Sequence, residues 1–376
     1  MASAPGYPAA MSTDPGVLTA RHASLLLGPS GALGLDPAHV VEWFGAMQGQ
    51  DLASVLWSVG VRTGVDRSAV SAALDAGHVL RTWPMRGTLH LVPARDARWM
   101  VRHLGARALA RAARRREFLG LSEHDADRAA DVLGQALVGG HQLSRSACVD
   151  LLVRSGIPAA GQRAYHLLWY ASQRGVTCVG PNEGSEQTFV LLDEWAPDPV
   201  ALDRAAALAT IAGRFVRSHG PVTAHDLARW ADLTLADARA GLRDADGVTA
   251  EQVAGAPMYV HRDCPAPAPS PADLPAHALP GFDELVLGYR DRSAQLDRDH
   301  EPLVVPGGNG VFSATLVVGG RVVGTWRRTL LAHRVRIEAA PFRPLGTQHR
   351  AALEQALGRY AEHVGRIPEV RWTAPG

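Results

Sequence analysis

The sequence predicts a mainly α fold with short β-hairpins. Three observations predict it: capped stretches with apolar residues at helical spacing, short extended runs broken by Gly- or Pro-containing turns, and a helix–helix–helix–hairpin order that recurs about every 80 residues. With 376 residues, 47% hydrophobic and 20% charged, the chain is long enough for two to four domains around a sizeable core.

Residues 1–16, MASAPGYPAAMSTDPG, lack a basic start and an apolar run, so they read as a tail rather than a signal peptide, with Met1 and Met11 both open as the start. DPAHVVEWFGAM, 36–47, opens on the helix-start pair Asp36-Pro37. LASVLWSV, 52–59, gives a second helix, and DRSAVSAALDA, 66–76, a third with Asp66 as cap and Gly77 as stop. HVLRTWPMRGTLHLV, 78–92, is two extended runs around Pro84-Met85-Arg86-Gly87. That order is the order of a winged helix. It returns at 122–137, 143–156 and 162–175 with a hairpin through 184–192, and again from Asp203. The expected organisation is therefore three tandem winged-helix modules, at 17–120, 121–200 and 201–264. A proline-rich connection, 265–281, leads to 282–376, where VVGGRVVGTWRR predicts a hairpin and LGTQHRAALEQALGRYAEHVG a final helix.

No run of 18 apolar residues is present, so no membrane span is expected. Cys148, Cys178 and Cys264 are far apart, against a disulfide scaffold or a zinc ribbon, and the expected compartment is a reducing bacterial cytoplasm. The 16 His occur singly, with no metal-ligand spacing, so neither metal nor cofactor is expected. All 38 basic residues are Arg. A chain without lysine has no phosphate-loop NTPase, pyridoxal Schiff-base, Ser-x-x-Lys or lysine-type DNA lyase chemistry.

The formal net charge of +1 hides a segregation. Residues 81–116 hold ten Arg and the single acid Asp96, and 321–371 hold ten Arg against four Glu. Arg107, Arg111 and Arg115 recur at i+4 on one helix face. A GC-rich genome explains Arg in place of Lys but not this clustering, so a phosphate-contacting surface is expected. Arg81, Arg86 and His90 lie on or beside the first hairpin, and Arg321 beside the turn of a second; hairpin tips reach grooves. Arg290 and Arg292 fit phosphate contact and internal ion pairing equally well. Trp83 and Trp326 read as packing aromatics.

Met47-Gln48-Gly49-Gln50-Asp51 follows the first helix of that module. Two Gln at i and i+2 point ~200° apart on a helix but the same way on an extended chain. Gly49 permits a turn there, and Asp51 suits the cap of the next helix.

WSVGVRTG, VLRTWPMRGTLHLVPARDARWM, FDELVLGYRDRS and VVGGRVVGTWRR together resemble the winged-helix DNA glycosylase family, over roughly residues 17–372. That family includes bacterial alkylpurine glycosylases and self-resistance enzymes that unhook interstrand crosslinks in makers of azinomycin-type antibiotics. The resemblance implies that its catalytic Gln-x-Gln or Gln-x-Asp motif falls on Gln48 and Gln50, with Gly49 where the family has a larger apolar residue. It implies a monofunctional glycosylase acting on double-stranded DNA with bulky or crosslinking N-alkylated purines, working as a monomer near the nucleoid. Such a purine is cationic and leaves readily, so two neutral amides that hold a water and face an oxocarbenium-like sugar suffice. Asp51 either supports that water or only caps the helix. The rival readings are a winged-helix transcription regulator and a protein that sequesters adducts without releasing them. The identity of the adduct, and housekeeping repair against self-resistance, stay open.

Overall fold

The computed structural model describes residues 14–29, 31, 34–308 and 310–374; most of the expected tail, residues 1–13, lies outside the described residues. Described residues begin by capping a helix: Asp14 accepts from the Gly16 and Val17 amides, opening α1 (Pro15–Ser24). In the first unit α2 (Pro37–Phe44) stops at Gly45, whose φ is 77°, and β1 (Met47–Gln48) follows. Then come α3 (Leu52–Thr63), α4 (Arg67–Asp75), β2 (Val79–Met85), β3 (Thr88–Pro93), α5 (Ala97–Leu104) and α6 (Ala106–Phe118). Arg86 and Gly87 both take positive φ, 58° and 71°, which matches the tight turn that joins β2 to β3.

The second unit is α7 (Glu123–Leu137), β4 (Leu143–Ser144), α8 (Arg145–Arg154), α9 (Gln162–Gln173), β5 (Thr177–Glu183), β6 (Glu186–Leu191) and α10 (Leu192–Trp195). The third is α11 (Arg204–His219), α12 (Ala224–Ala231), α13 (Leu235–Asp244), β7 (Val248–Val253) and β8 (Ala256–His261). The chain ends with β9 (His277–Leu279), α14 (Glu284–Leu287), α15 (Glu301–Val304), β10 (Ala314–Val318), β11 (Arg321–Leu330), β12 (Arg334–Pro341), α16 (Thr347–His363) and β13 (Ile367–Trp372). No described helix is long and apolar enough to cross a membrane.

The architecture is mixed α/β, about half helical, which corrects the mainly α expectation. The difference lies in strand pairing. The first two hairpins do not stand apart; Arg81 pairs with Val179, joining them into one sheet of order β1-β3-β2-β5-β6-β4. The C-terminal hairpin is the middle of a five-stranded sheet, β13-β12-β11-β10-β9, rather than a lone hairpin beside a helix. One edge, β9, comes from the proline-rich connection, and the other, β13, runs parallel to β12. A strand edge left open is a liability, and both long hairpins satisfy theirs with neighbours. α16 packs on that sheet through Leu353, Leu357 and Tyr360, together with Trp57 of α3.

A buried ion pair joins the parts. Arg62 of α3 and Asp283, before α14, are 0% and 1% exposed and meet through two hydrogen bonds of 2.8 and 3.1 Å. The same guanidinium donates to the Leu25 and Ser58 carbonyls, and Ser58 donates to Asp283. Burial works to raise the Asp283 carboxyl's pKa, but the charge and hydrogen bonds of Arg62 outweigh it and hold the carboxyl below its ordinary value. Nearby, burial lowers His22 to about 4 and His277 to about 3, so both imidazoles are neutral in the fold.

Truncating one partner strands the other charge. Arg62→Met should destabilise the protein by about 3–5 kcal/mol in denaturant titration. Protonation gives a second test. Unfolded His takes up protons below about pH 6.5, which folded His22 and His277 refuse until far lower, so stability falls as pH drops from 6.5 toward 4. Urea midpoints measured across that range should fall steadily, and less steeply in His277→Gln.

Candidate active site

Strand β1 pins the glutamine motif to the first hairpin. Met47 pairs with Leu91 and Gln48 with His90, and the Gly49 amide donates to the Leu89 carbonyl at 2.8 Å. The chain is extended there, so Gln48 and Gln50 reach the same way. The Gln48 Oε1 accepts from the Thr88 hydroxyl at 3.4 Å and from Arg86 at 3.3 Å; the Gln50 Oε1 accepts from the Leu89 amide at 3.2 Å. The two carboxamides thus converge on adjacent residues of β3. Gln48 is nearly buried and Gln50 is exposed. A Cβ on Gly49 would lie 3.2 to 3.4 Å from the His90–Leu91 backbone, so this glycine serves close approach of β1 to β3 and not a left-handed turn.

A second layer fixes this pair. His90 is fully buried, and its Nδ1 lies 2.8 Å from the Thr88 carbonyl. A carbonyl only accepts, so Nδ1 carries the proton and Nε2 offers its lone pair to Arg86, 2.8 Å away. Burial, then the Arg86 charge, hold His90 well below its ordinary pKa, consistent with that neutral tautomer. Arg81 is buried too and donates to the Gly49 carbonyl at 3.2 Å, while burial pulls it to about 10, still charged at neutral pH. Asp51 caps α3 by accepting from Ala53, accepts from the Ser54 hydroxyl at 2.6 Å and pairs with Arg328 of β11 at 3.0 Å. Asp51 thus caps α3 and docks the C-terminal sheet beside the motif.

The other candidates divide. Arg107, Arg111, Arg115 and Arg290 are exposed. Arg111 pairs with Asp232 of the third unit, Arg115 donates to Gln162, and Arg107 has no side-chain partner among the described residues. Like Arg86, four further candidates are held by partners within the fold, Arg292 by the ion pairing that was one of its two readings. Arg81 and His90 support the motif from within. Arg292 is buried against Phe312 and pairs with Glu301 at 2.6 Å, and Arg321 donates to the Ser293 and Ala294 carbonyls. Each satisfies carbonyls or carboxylates that burial would otherwise leave unpaired. Trp83 and Trp326 are packed as expected. Sequence reasoning missed Thr88 and Arg328, which touch the motif residues from other strands; spacing carries no signal of a contact between residues 277 positions apart, as Asp51 and Arg328 are. Among the described residues no cluster of His, Cys, Asp and Glu is arranged to hold a metal.

The site is thus a neutral amide pair held against the first hairpin. The sequence profile of the family "DNA glycosylase AlkZ-like" matches residues 41–363, and the chain belongs to that family. A curated relative, the interstrand DNA cross-link repair glycosylase of Streptomyces sahachiroi, is 26% identical over 283 residues, 69% of this chain and 73% of the relative. Among solved structures the fold is similar to the Streptomyces sahachiroi DNA glycosylase AlkZ, with a TM-score of 0.76 at 24% identity, over 95% of this chain and 98% of that one.

Asp51→Ala removes the α3 cap and frees Arg328, so unfolding experiments should show a loss of about 0.5–2 kcal/mol. The glutamine pair keeps its own partners on β3, so any activity measured well below the melting temperature should change only a few-fold.

Proposed function

We propose that this protein is a monofunctional DNA glycosylase that hydrolyses the N-glycosidic bond of bulky or crosslinking N-alkylated purines. The observation that carries the reading is the convergence of Gln48 and Gln50 on the Thr88–Leu89 stretch, inside the segment matched by the family. We read the three helix–hairpin units as winged helices that together form a DNA-binding surface, with Gln48 and Gln50 acting at it. Exposed Arg107, Arg111, Arg115 and Arg290 are the phosphate contacts, each adding roughly one counterion to the salt dependence of binding.

The chemistry follows from charge. An N7- or N3-alkylated purine is already cationic. As the C1′–N bond breaks, its electron pair neutralises the base, which needs no protonation to leave. The sugar becomes oxocarbenium-like, water adds its oxygen at C1′, and the spare proton passes to solvent. A carboxamide oxygen holds that water and faces the growing positive charge without the pairing a carboxylate would make with neighbouring arginines. With no lysine in the chain, no lysine Schiff base forms, and the product is an unbroken abasic strand. The relative named for crosslink repair extends the proposed substrate to a purine tethered to the opposite strand.

A duplex carrying one N7-methylguanine tests the core of the proposal. After incubation and heating in alkali, strand breaks should appear at the adduct. Gln48→Ala or Gln50→Ala should each lower the rate ~10²-fold or more. Tight binding without breaks, for this duplex and for one carrying a crosslink, would leave a protein that grips DNA and releases nothing.

A further inference from the structure

The two glutamines are not equivalent. Arg86 and the Thr88 hydroxyl both give hydrogens to the Gln48 Oε1, whereas the Gln50 Oε1 meets one donor, the Leu89 amide. An arginine and a backbone amide only donate, so the orientation of both carboxamides is fixed by their partners rather than by choice. A carbonyl oxygen has two lone pairs. Those of Gln48 are both engaged, and its NH2 group makes no hydrogen bond among the described residues and is not sealed off from solvent. Gln50 keeps one lone pair on an exposed side chain.

The donor that makes this difference is itself held. Arg86 has the left-handed backbone of the hairpin turn, φ 58°, and its guanidinium bridges the His90 Nε2 and the Gln48 oxygen. His90 is locked in the accepting tautomer by the Thr88 carbonyl. Thr88, His90, Arg86 and Gln48 thus close a ring of hydrogen bonds that leaves the Gln48 NH2 group as a free donor.

We propose that Arg86 is a positioning residue that divides the labour of the pair. It holds the Gln48 oxygen inward and turns the Gln48 NH2 group out as a donor to the DNA substrate, leaving the Gln50 oxygen as the acceptor that holds the attacking water. The assignment rests on the glycosylase reading above. It also moves Arg86 away from the phosphate contact its place at a hairpin tip suggests.

Glutamate substitutions separate the roles, because a carboxylate accepts but does not donate. Single-turnover excision from a duplex with one N7-methylguanine, at saturating enzyme, is compared with the binding constant for that duplex. Gln48→Glu should lose its donor, pair with Arg86 and be as slow as Gln48→Ala. Gln50→Glu keeps an acceptor and should be at least ten-fold faster than Gln48→Glu. Arg86→Met should slow excision about ten-fold or more while the salt slope of binding stays unchanged. Thermal melts identify a variant that fails to fold; should Arg86→Met fail, the glutamate pair decides alone. Equal inactivity of the two glutamate variants beside an active wild type overturns the division of roles and leaves the glycosylase intact. The division of roles falls as well if Arg86→Met weakens binding, lowers the salt slope by about one and leaves single-turnover excision unchanged. A wild type that excises nothing removes the glycosylase reading and this assignment with it.

Discussion

The Arg62–Asp283 pair is the constraint on which the rest of the arrangement depends. It is sealed from water, bidentate, and shared by three separate stretches of chain: the segment after α1, helix α3, and the entrance to α14. Isolated, either charge would be costly to bury; paired and fully hydrogen-bonded, they fix how these stretches meet. One residue further on, Glu284 repeats the device, accepting from the Trp230 indole and lying 3.2 Å from His219. Asp283 thus ties the C-terminal region to the first unit and Glu284 ties it to the third.

From that anchor the motif is held by strands rather than by its own loop. β1 is two residues long and would not persist alone. Arg81 takes the Gly49 carbonyl, the Leu89 backbone takes both the Gly49 amide and the Gln50 oxygen, and Arg328 reaches from the C-terminal sheet to the cap at Asp51. Arg81, Arg86 and Arg328 all lie beside the motif, and the carboxamides among these cations remain neutral at every physiological pH. A carboxylate at position 48 would be drawn into an ion pair with Arg86.

Local signals in the chain foretold local structure. Asp36, Asp51 and Asp66 each announced a helix start, and each side chain caps that helix. The i, i+2 spacing of Gln48 and Gln50 implied an extended backbone, and β1 is extended. What the sequence withheld was pairing between distant parts. Nothing in HVLRTWPMRGTLHLV says that Arg81 will meet Val179, or that His277–Leu279 will leave a proline-rich connection to become a sheet edge. The charge pattern misled for a related reason. Arg81 and Arg321 count as basic surface in one dimension, yet in space they donate to carbonyls within the fold. Exposure, not count, separates them from Arg107 and Arg290.

The shared sheet of the first two units has a mechanical consequence. Trp83 and Leu89 of the first hairpin belong to the hydrophobic core of the second unit, and Gln173 of α9 donates to the Trp83 carbonyl. Neither unit can swivel against the other without tearing strands apart and exposing that core. Together they form one body, joined through the Arg81–Val179 pairing and this shared core.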